Sequence, residues 1–482
     1  MGEEQVRSKR LLLGAALAYA LLSSVGYFLG MYPRHRTETA WVIAGGLFVL
    51  LNIPTLFGRL IPSPPLVTAR RPALVCGAFI AGGLAIYAFS LNVGQFSDDF
   101  VLLSHAQRWN ILPSGWEHVR PLPVAIWATL TTLDVDAAGL HALNIVLHGL
   151  NGFLLFRLAS ALGFTVEASS WAGLLFLVFP GAVETVTWIS GLQDVLMTTF
   201  VLVFLIAALA DRWLYAILAL AAALLSKETA VAAPLMLLLA TLIRRVNLRL
   251  AAAAFALAAM FAVFRLAVSP DREFFEIPSG YFLKEFGARL FGGLVVGWTA
   301  AQLSTVPAIG VASVVSLGTL LGALLTRNIN VRPAFVFLGW AVVAAAPVYA
   351  YFYVTADLQG SRYLYLPAAG WSLFVSWLAA VGSHRHLARC ALAALVLIGA
   401  AGTITQQQRW QNASLLRDQV LWNARATALS LGCSNPSFEN VPDSLDGVYV
   451  FRNGLPEALE LGYADAGRTC VLRWDDGAFS PR

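Results

Sequence analysis

Apolar residues occur along this chain in long runs that are separated by short polar loops. A helix needs about 17–25 predominantly apolar residues to cross a bilayer. The pattern therefore predicts an all-α polytopic membrane protein with about thirteen transmembrane helices, plus interfacial helices between them. The candidate spans are 11–30, 40–58, 72–92, 138–159, 171–187, 195–210, 213–225, 229–243, 248–268, 308–325, 333–352, 365–382 and 388–404.

Arginine and lysine in the loops set the expected orientation, because short cytoplasmic loops carry an excess of these residues. The run 11–30 is a full span without a small-residue cleavage site, so we interpret it as an uncleaved helix that follows a cytoplasmic N-terminus. The run 287–303 is interpreted as a re-entrant or interfacial segment, since counting it would move the basic stretch "TRNINVR" (326–332) outside. This scheme places the C-terminus outside.

Composition agrees with the pattern. Of the 482 residues, 58% are hydrophobic and only 12% are charged, and the mean hydropathy is +0.71. Soluble domains carry about a quarter charged residues, so a soluble enzyme is excluded. We expect membrane lipids and no nucleic acid among the partners.

The last part of the chain differs from the rest. From about Thr405 the sequence turns polar, and "CSNPSFENVPDSLDGVYVFRNG" (433–454) is typical of short strands and turns. We predict a small extracytoplasmic α+β domain there. Cys433 and Cys470 would lie on the oxidising side of the membrane, so we expect them to form a disulfide.

The chain is accordingly divided into four parts: N-terminal spans at 1–92, a first outer loop with interfacial helices at 93–137, a transmembrane core at 138–404, and the C-terminal domain at 405–482. On this topology the unusual polar residues all face outward. An ion pathway would instead carry ionisable groups through the bilayer midplane. The outward-facing groups are Asp98–Asp99, "EHVRPL" (117–122), Glu184, Asp194, "SKE" (226–228) and "DLQGSRYLYLP" (357–367).

Asp98 and Asp99 stand where a span ends and the amphipathic stretch "FVLLSHAQRW" begins. One interpretation is a helix cap, since aspartate accepts backbone N–H groups at helix N-termini. Capping needs only one acid, however, and adjacent carboxylates repel each other. The second interpretation makes one of them a general base for an acceptor hydroxyl.

The stretch "EHVRPL" supplies two candidate substrate-binding residues, His118 and Arg120. Pro121 suits a first helical turn. Arg120 either extends toward the membrane interface or binds a phosphate with its planar, paired donors. The sequence leaves these two interpretations equal.

A third polar pattern occurs in "LHALNIVLHGLNGFLLF", where His141, Asn144 and His148 share one helix face. Hydrogen bonding between spans explains such residues more simply than a metal does. His148 is nevertheless kept as a candidate substrate-binding residue.

The remaining candidates lie in three separate stretches. Glu184 and Asp194 occur in "FPGAVETVTWISGLQDVL", and Lys227 and Glu228 lie between two apolar runs, where a local ion pair at a turn is the alternative. Arg362 is flanked by Tyr363 and Tyr365, which an interfacial aromatic belt would also explain. All seven are candidate substrate-binding residues.

Taken together, "SDDF", "RPL" before "LHALNIVLH", "FPGAVETVTWISGLQDVL", "SKE" and "RYLYLP" resemble, in order, the motifs of GT-C membrane glycosyltransferases. The similarity is greatest to the transmembrane and tetratricopeptide-repeat O-mannosyltransferases and their bacterial relatives, without the repeats. The resemblance implies a catalytic base at Asp98, supported by Asp99. It also implies basic residues near a lipid phosphate at Arg120, Lys227 and Arg362, and acids near the sugar or acceptor at Glu184 and Asp194.

The resemblance further implies an inverting glycosyltransferase of the bacterial inner membrane whose site faces the periplasm. Its donor would be a polyprenyl-phosphate-linked sugar, and its acceptor a glycan, a lipid or a protein. The resemblance assigns no definite cofactor and leaves metal dependence open, with Asp98, Asp99 and Glu184 as oxygen ligands that could hold a divalent metal. The alternative is a flippase or transporter of lipid-linked saccharides, which would need the same phosphate-binding arginines.

Overall fold

The computed structural model describes residues 15, 18–19, 72–111, 120–268, 286–287, 289–294, 330–355, 357–381, 385–433, 435–459, 469–475 and 477–481. This part of the chain is predominantly helical, as the apolar runs predicted. The helices are α1 (Pro72–Ile86), α2 (Asp98–Gln107), α3 (Pro121–Thr132), α4 (Ala137–Ala161), α5 (Val166–Leu177), α6 (Val183–Thr187), α7 (Leu192–Leu209), α8 (Trp213–Ser226), α9 (Ala233–Ala240), α10 (Leu248–Val268), α11 (Arg332–Ala345), α12 (Tyr365–Val381), α13 (Arg385–Ser430) and α14 (Leu455–Leu459).

Six helical segments in the described residues are long and apolar enough to cross a membrane. They are Ala137–Ala161, Ile189–Leu209, Leu248–Arg265, Arg332–Tyr349, Ser361–Val381 and Arg385–Ser430. A seventh is obtained if α5 and the segment Pro180–Thr187 form one span bent by 50°. This protein is therefore an integral membrane protein.

The number of spans in the described residues is smaller than the predicted total. Four of the predicted runs lie wholly or mostly outside the described residues: 11–30, 40–58, 308–325 and the proposed re-entrant run 287–303. Three further apolar helices are short: Pro72–Ile86, Trp213–Ser226 and Glu228–Ala240. The predicted span 171–187 is interrupted, because the helix ends at Leu177 and the chain bends by 50° before the segment Pro180–Thr187.

Short 3₁₀ segments interrupt the bundle where the polar motifs occur. They are Ala88–Asn92, Pro180–Ala182, Ile189–Gly191, Glu228–Ala232, Ala346–Tyr351 and Ser361–Leu364. Backbone of this kind is tolerated at membrane depth only where protein or a cavity surrounds it. The breaks are therefore expected to mark the place where a site is built.

The C-terminal domain begins as a continuation of a span. Helix α13 has 46 residues, which corresponds to roughly 69 Å, so it runs well beyond a bilayer of about 30 Å. The helix passes through residue 405 without a break. The polar composition there reflects its departure from the membrane.

A small sheet follows α13, as the strand and turn pattern predicted. Strand β1 (Asn435–Glu439) pairs in parallel with β4 (Thr469–Asp475), which pairs antiparallel with β5 (Ala478–Pro481). Strands β2 (Ser444–Leu445) and β3 (Val448–Tyr449) form a separate hairpin. The predicted Cys433–Cys470 disulfide is confirmed, with Cα atoms 6.0 Å apart, and it joins the end of α13 to β4.

Candidate active site

Three ion pairs gather six of the candidate residues. Arg120 pairs with Glu228 at 2.5 Å, Lys227 with Asp194 at 2.7 Å, and Arg362 with Glu184 at 3.0 Å. Electrostatic coupling connects the pairs, since the charge of Asp194 acts on Arg120, Glu184 and Arg362. Residues that are far apart in the chain therefore form one charged cluster.

Arg120 enters this cluster from the residue just before α3, where Pro121 occupies the predicted first helical position. Its guanidinium donates from Nε to Glu228 Oε2 at 2.9 Å, and a second nitrogen donates to Gln193. Burial lowers the pKa of Arg120, but the nearby Glu228 carboxylate outweighs that effect and the net pKa is raised. Arg120 therefore remains a charged, buried donor and does not extend into the membrane interface.

Lys227 and Glu228 are adjacent in the chain but have different partners. Lys227 has an extended backbone, with φ −160° and ψ 139°, between α8 and the 3₁₀ segment Glu228–Ala232. Lys227 reaches Asp194, while Glu228, the first residue of that 3₁₀ segment, reaches Arg120, so the interpretation as a local ion pair is wrong.

Arg362 has the most exposed side chain of the three cations, at 20%, against 14% for Arg120 and 6% for Lys227. Its guanidinium carbon lies 5.0 Å from the ring centroid of Trp188, 5.2 Å from Tyr363 and 5.7 Å from Tyr449. Aromatic faces at this distance attract a cation. The rings and Glu184 hold the guanidinium in place on a side chain that is still one-fifth exposed.

Glu184 is held by several donors at once. Its Oε1 accepts from Arg362, and its Oε2 accepts from Ser361 Oγ and the Arg362 backbone N–H, both at 3.3 Å. The turn that follows Glu184 is tight: a Cβ atom on Gly191 would lie 1.9 Å from the Thr185 carbonyl oxygen. The glycine of "WISGLQD" is therefore needed for Glu184 and Asp194 to face the same cluster.

Asp99 is fully buried and serves as a hydrogen-bond acceptor within the fold. Its carboxylate accepts from the Phe96 N–H at 2.9 Å, from the Ser190 N–H at 2.7 Å and from the Ser190 hydroxyl. Burial raises the pKa of Asp99 to about 7, although these hydrogen bonds oppose the change. Asp99 thus ties the loop before α2 to the segment Ile189–Gly191 and is inaccessible to a substrate.

Asp98 differs from Asp99 in both exposure and bonding. It is the first residue of α2 and is partly exposed, and its Oδ1 accepts from Asn453 Nδ2 at 2.7 Å. The loop before Asp98 contacts one of the rings around Arg362, because Trp188 Nε1 donates to the Phe96 carbonyl at 3.1 Å. Asp98 is thus the accessible carboxylate of the two.

Two candidate residues, His148 and Tyr365, lie in the helix core. His148 Nδ1 lies 2.8 Å from the Tyr365 hydroxyl, and His148 Nε2 lies 3.1 Å from the Leu177 carbonyl. Both side chains are fully buried. Contacts of this kind fit a packing role between helices.

The other two members of the histidine face also make internal bonds. His141 Nε2 lies 3.0 Å from the Gly94 carbonyl, and Asn144 donates to the Trp188 carbonyl at 2.8 Å. Among the residues described, no three His, Cys, Asp or Glu side chains converge as a metal site would require. Asp98, Asp99 and Glu184 do not form such a group, since each acid is directed to a separate donor. His118 lies outside the described residues.

Several residues of the site were not candidates from the sequence. Trp188, Ser190 and Gln193 lie within the quoted stretch "FPGAVETVTWISGLQDVL", so the motif contained a signal for them. Tyr449 and Asn453 belong to the C-terminal domain. They had no local signal, because only the folded chain brings that domain to the site.

No protein-family model matches this chain, and neither does any curated protein. Among solved structures it is similar to ArnT from Cupriavidus metallidurans bound to undecaprenyl phosphate, with a TM-score of 0.46 and 15% identity. That similarity covers 81% of this chain and 85% of the ArnT chain.

Proposed function

We propose that this protein is an inverting membrane glycosyltransferase that transfers a sugar from a polyprenyl-phosphate-linked donor. The observation that carries the proposal is the cluster of Arg120, Lys227 and Arg362 close to the loop of one accessible carboxylate, Asp98. Buried charges are costly in a membrane protein, so three of them together with their partners indicate a functional site.

The cluster suits a phosphate leaving group. When the bond between sugar and phosphate breaks, negative charge develops on the phosphate oxygens. Preorganised donors in a site shielded from water stabilise such charge. Arg362 is the residue for direct contact because its side chain is the most exposed of the three cations, whereas Lys227 is almost fully buried against Asp194.

The pairing of each cation with an acid also has a purpose. Three cations and three acids leave the cluster without net charge, so it can be buried before the donor arrives. The acids fix the orientation of the cations, and a fixed donor need not reorganise during the reaction.

Asp98 supplies the base in this proposal. It takes the proton of the acceptor hydroxyl, the acceptor oxygen forms a bond to the anomeric carbon, and the bond from that carbon to the phosphate oxygen breaks. The electron pair leaves with the polyprenyl phosphate. Attack opposite the leaving group inverts the anomeric centre in a single step.

The finer assignments belong to the same proposal. The acceptor is a glycan, a lipid or a protein at the outer face of the inner membrane. Glu184, Asp194, Glu228 and Tyr363 line or support the donor site, and His118, outside the described residues, stays a candidate from the sequence alone. His148 and Tyr365 act only indirectly through the helix core that carries it.

The test uses purified protein in nanodiscs and a panel of undecaprenyl-phosphate-linked hexoses and pentoses, labelled in the sugar. Undecaprenyl phosphate is the lipid named for the ArnT structure. We expect the wild-type protein to release undecaprenyl phosphate from at least one donor, and Asp98→Asn to slow release by about 10²–10⁴-fold. Asp98→Asn should still fold and bind undecaprenyl phosphate.

Two outcomes would contradict the proposal. Release at the wild-type rate by Asp98→Asn would exclude Asp98 as the catalytic base. Movement of the intact labelled lipid across a liposome bilayer, without cleavage of the sugar–phosphate bond, would assign the protein as a flippase instead.

A further inference from the structure

The segment Val448–Gly454 of the C-terminal domain packs directly on the turn that precedes α2. The Ser97 N–H donates to the Val450 carbonyl at 3.0 Å, and the Asn453 N–H donates to Ser97 Oγ at 3.3 Å. The Phe451 ring stacks on Phe100 with centroids 6.1 Å apart. The conformation of this turn therefore depends on residues more than three hundred positions away in the chain.

The backbone of Ser97 is itself unusual, with φ +44° and ψ −113°. A non-glycine residue in such a sparsely populated region costs about 1–3 kcal/mol and persists only where surrounding contacts enforce it. Here the enforcing contacts come from the segment Val448–Gly454. Gly454 allows the close approach, since a Cβ atom there would lie 2.6 Å from the Ser97 carbonyl oxygen and its φ is +85°.

The same segment holds the carboxylate of Asp98. Asn453 Nδ2 donates to Oδ1 of Asp98 at 2.7 Å, while Oδ2 has no hydrogen-bond partner among the residues that the structure describes. One oxygen is thus fixed and the other is available on a partly exposed side chain. In Asp99, by contrast, both oxygens are occupied by donors of the fold.

A third contact connects the segment to Arg362, the cation proposed to bind the phosphate of the leaving group. The Tyr449 ring lies 5.8 Å from the Trp188 ring and 5.7 Å from the guanidinium carbon of Arg362. One short segment thus contacts both the proposed base and the cation proposed to bind phosphate. It bridges the two halves of the site.

We infer that Asn453 is a positioning residue that orients Asp98 for proton abstraction, which makes the segment Val448–Gly454 part of the active site. This inference rests on the proposed function. A hydrogen bond to Oδ1 limits rotation of the carboxylate and directs Oδ2 to the acceptor hydroxyl. A displacement of about 1 Å in a reacting group can cost about 10²-fold in rate.

The test is Asn453→Leu in the full-length protein, assayed in nanodiscs with whichever undecaprenyl-phosphate-linked sugar of the panel is cleaved. We expect kcat to fall by about 10²-fold with the KM for the donor unchanged, because phosphate binding is not altered. Asn453→Gln, which keeps the amide donor, should recover part of the loss. An unchanged kcat in Asn453→Leu, or a loss that appears in KM alone, would overturn the inference.

The matched control is Asn423→Leu in the same domain. Asn423 donates to the carbonyls of Gln419 and Gly477 at 2.9 and 3.3 Å, so this variant also loses side-chain bonds in the C-terminal domain. Its kcat should stay at the wild-type value. A loss equal to that of Asn453→Leu would show that kcat reports general damage to the domain.

A double variant tests whether Asn453 affects the rate through Asp98 or in another way. If Asn453 acts on Asp98, then Asp98→Asn with Asn453→Leu is no slower than Asp98→Asn alone. Multiplied losses would overturn the inference. If Asn453→Leu does not fold, Gly454→Ala replaces it. The added Cβ displaces the segment while the Asn453 side chain is kept. The rate of this variant should depend on Asp98→Asn in the same way.

The two proposals fail in distinguishable ways. Equal rates in the wild type and Asp98→Asn would exclude Asp98 as the base and would contradict the proposed function. A slow Asp98→Asn together with a wild-type rate in Asn453→Leu would leave the proposed function intact and overturn only the role of Asn453.

Discussion

Lys227 donates to both carboxylate oxygens of Asp194, each at 2.7 Å, and more than nine-tenths of each side chain is buried. The two residues are 33 positions apart: Asp194 lies in the first turn of α7, and Lys227 lies in the junction between α8 and the 3₁₀ segment Glu228–Ala232. A buried ion pair of this kind adds little net stability, because desolvation offsets the attraction, but removing one partner leaves a buried charge without compensation.

This pair gives a stability prediction. Asp194→Leu should lower the free energy of unfolding by about 3–5 kcal/mol, since the Lys227 ammonium loses its counter-ion. The double variant Asp194→Leu with Lys227→Met should recover most of the loss, although we expect it to be inactive. Denaturant titration of the purified protein in one detergent measures both.

Glu167→Leu is the control for that experiment. Glu167 pairs with Arg389 at 2.5 Å, but both side chains are 49% exposed. Exposed ion pairs contribute little, so its free energy of unfolding should stay close to that of the wild type. Equal losses in Asp194→Leu and Glu167→Leu would show that the Lys227–Asp194 pair is not shielded from solvent.

Arg362→Lys tests whether the most exposed of the three cations in the cluster acts through its geometry or only through its charge. Lysine keeps the charge but loses the planar, paired donors and the stacking on Trp188, Tyr363 and Tyr449. We expect release of undecaprenyl phosphate to slow by about 10²-fold, as for the loss of one preorganised donor. Arg389→Lys, at the exposed pair, should leave the rate unchanged, and a wild-type rate in Arg362→Lys would show that only charge is required.

The buried carboxyl of Asp99 predicts how stability depends on pH. Its pKa is about 7 in the folded protein, against about 3.9 for an unfolded chain. The folded protein binds the proton more tightly, so this contribution is complete below about pH 4. It is lost as the pH rises through about 7.

Asp99→Asn isolates this contribution because asparagine does not titrate. Between about pH 4 and pH 7 the free energy of unfolding of the wild type should fall relative to that of Asp99→Asn. The relative slope should approach about 1.4 kcal/mol per pH unit. Parallel stability curves for the two proteins over this range would contradict a raised pKa.

The Cys433–Cys470 disulfide predicts the behaviour of the C-terminal domain. Cys433→Ser should destabilise that domain by about 2–4 kcal/mol, because the bond closes a loop of 37 residues in the unfolded chain. Limited proteolysis within 433–470 should become faster. Cys76→Ser and Cys390→Ser remove free cysteines and should have no such effect. Resistance equal to that of the wild type in Cys433→Ser would mean that packing alone holds the domain.

The sequence predicted most of the fold because the signals for its elements are local. Apolar runs, Pro121 at the start of a helix, and the turn-rich pattern after Cys433 each depend on neighbouring residues, and the structure shows the corresponding elements. The bend after Leu177 was missed since one apolar run continues across it.

Local patterns along the chain were enough to predict a helical membrane protein with a small disulfide-bonded domain and a set of separate charged and aromatic residues. Which of these residues contact each other depends on the folded structure. The partners of Lys227, Arg120 and Arg362 lie 33, 108 and 178 positions away, and Asn453 lies 355 positions from Asp98. Pairing over such distances depends on how the helices and the C-terminal domain pack together, and no periodicity along the chain encodes it.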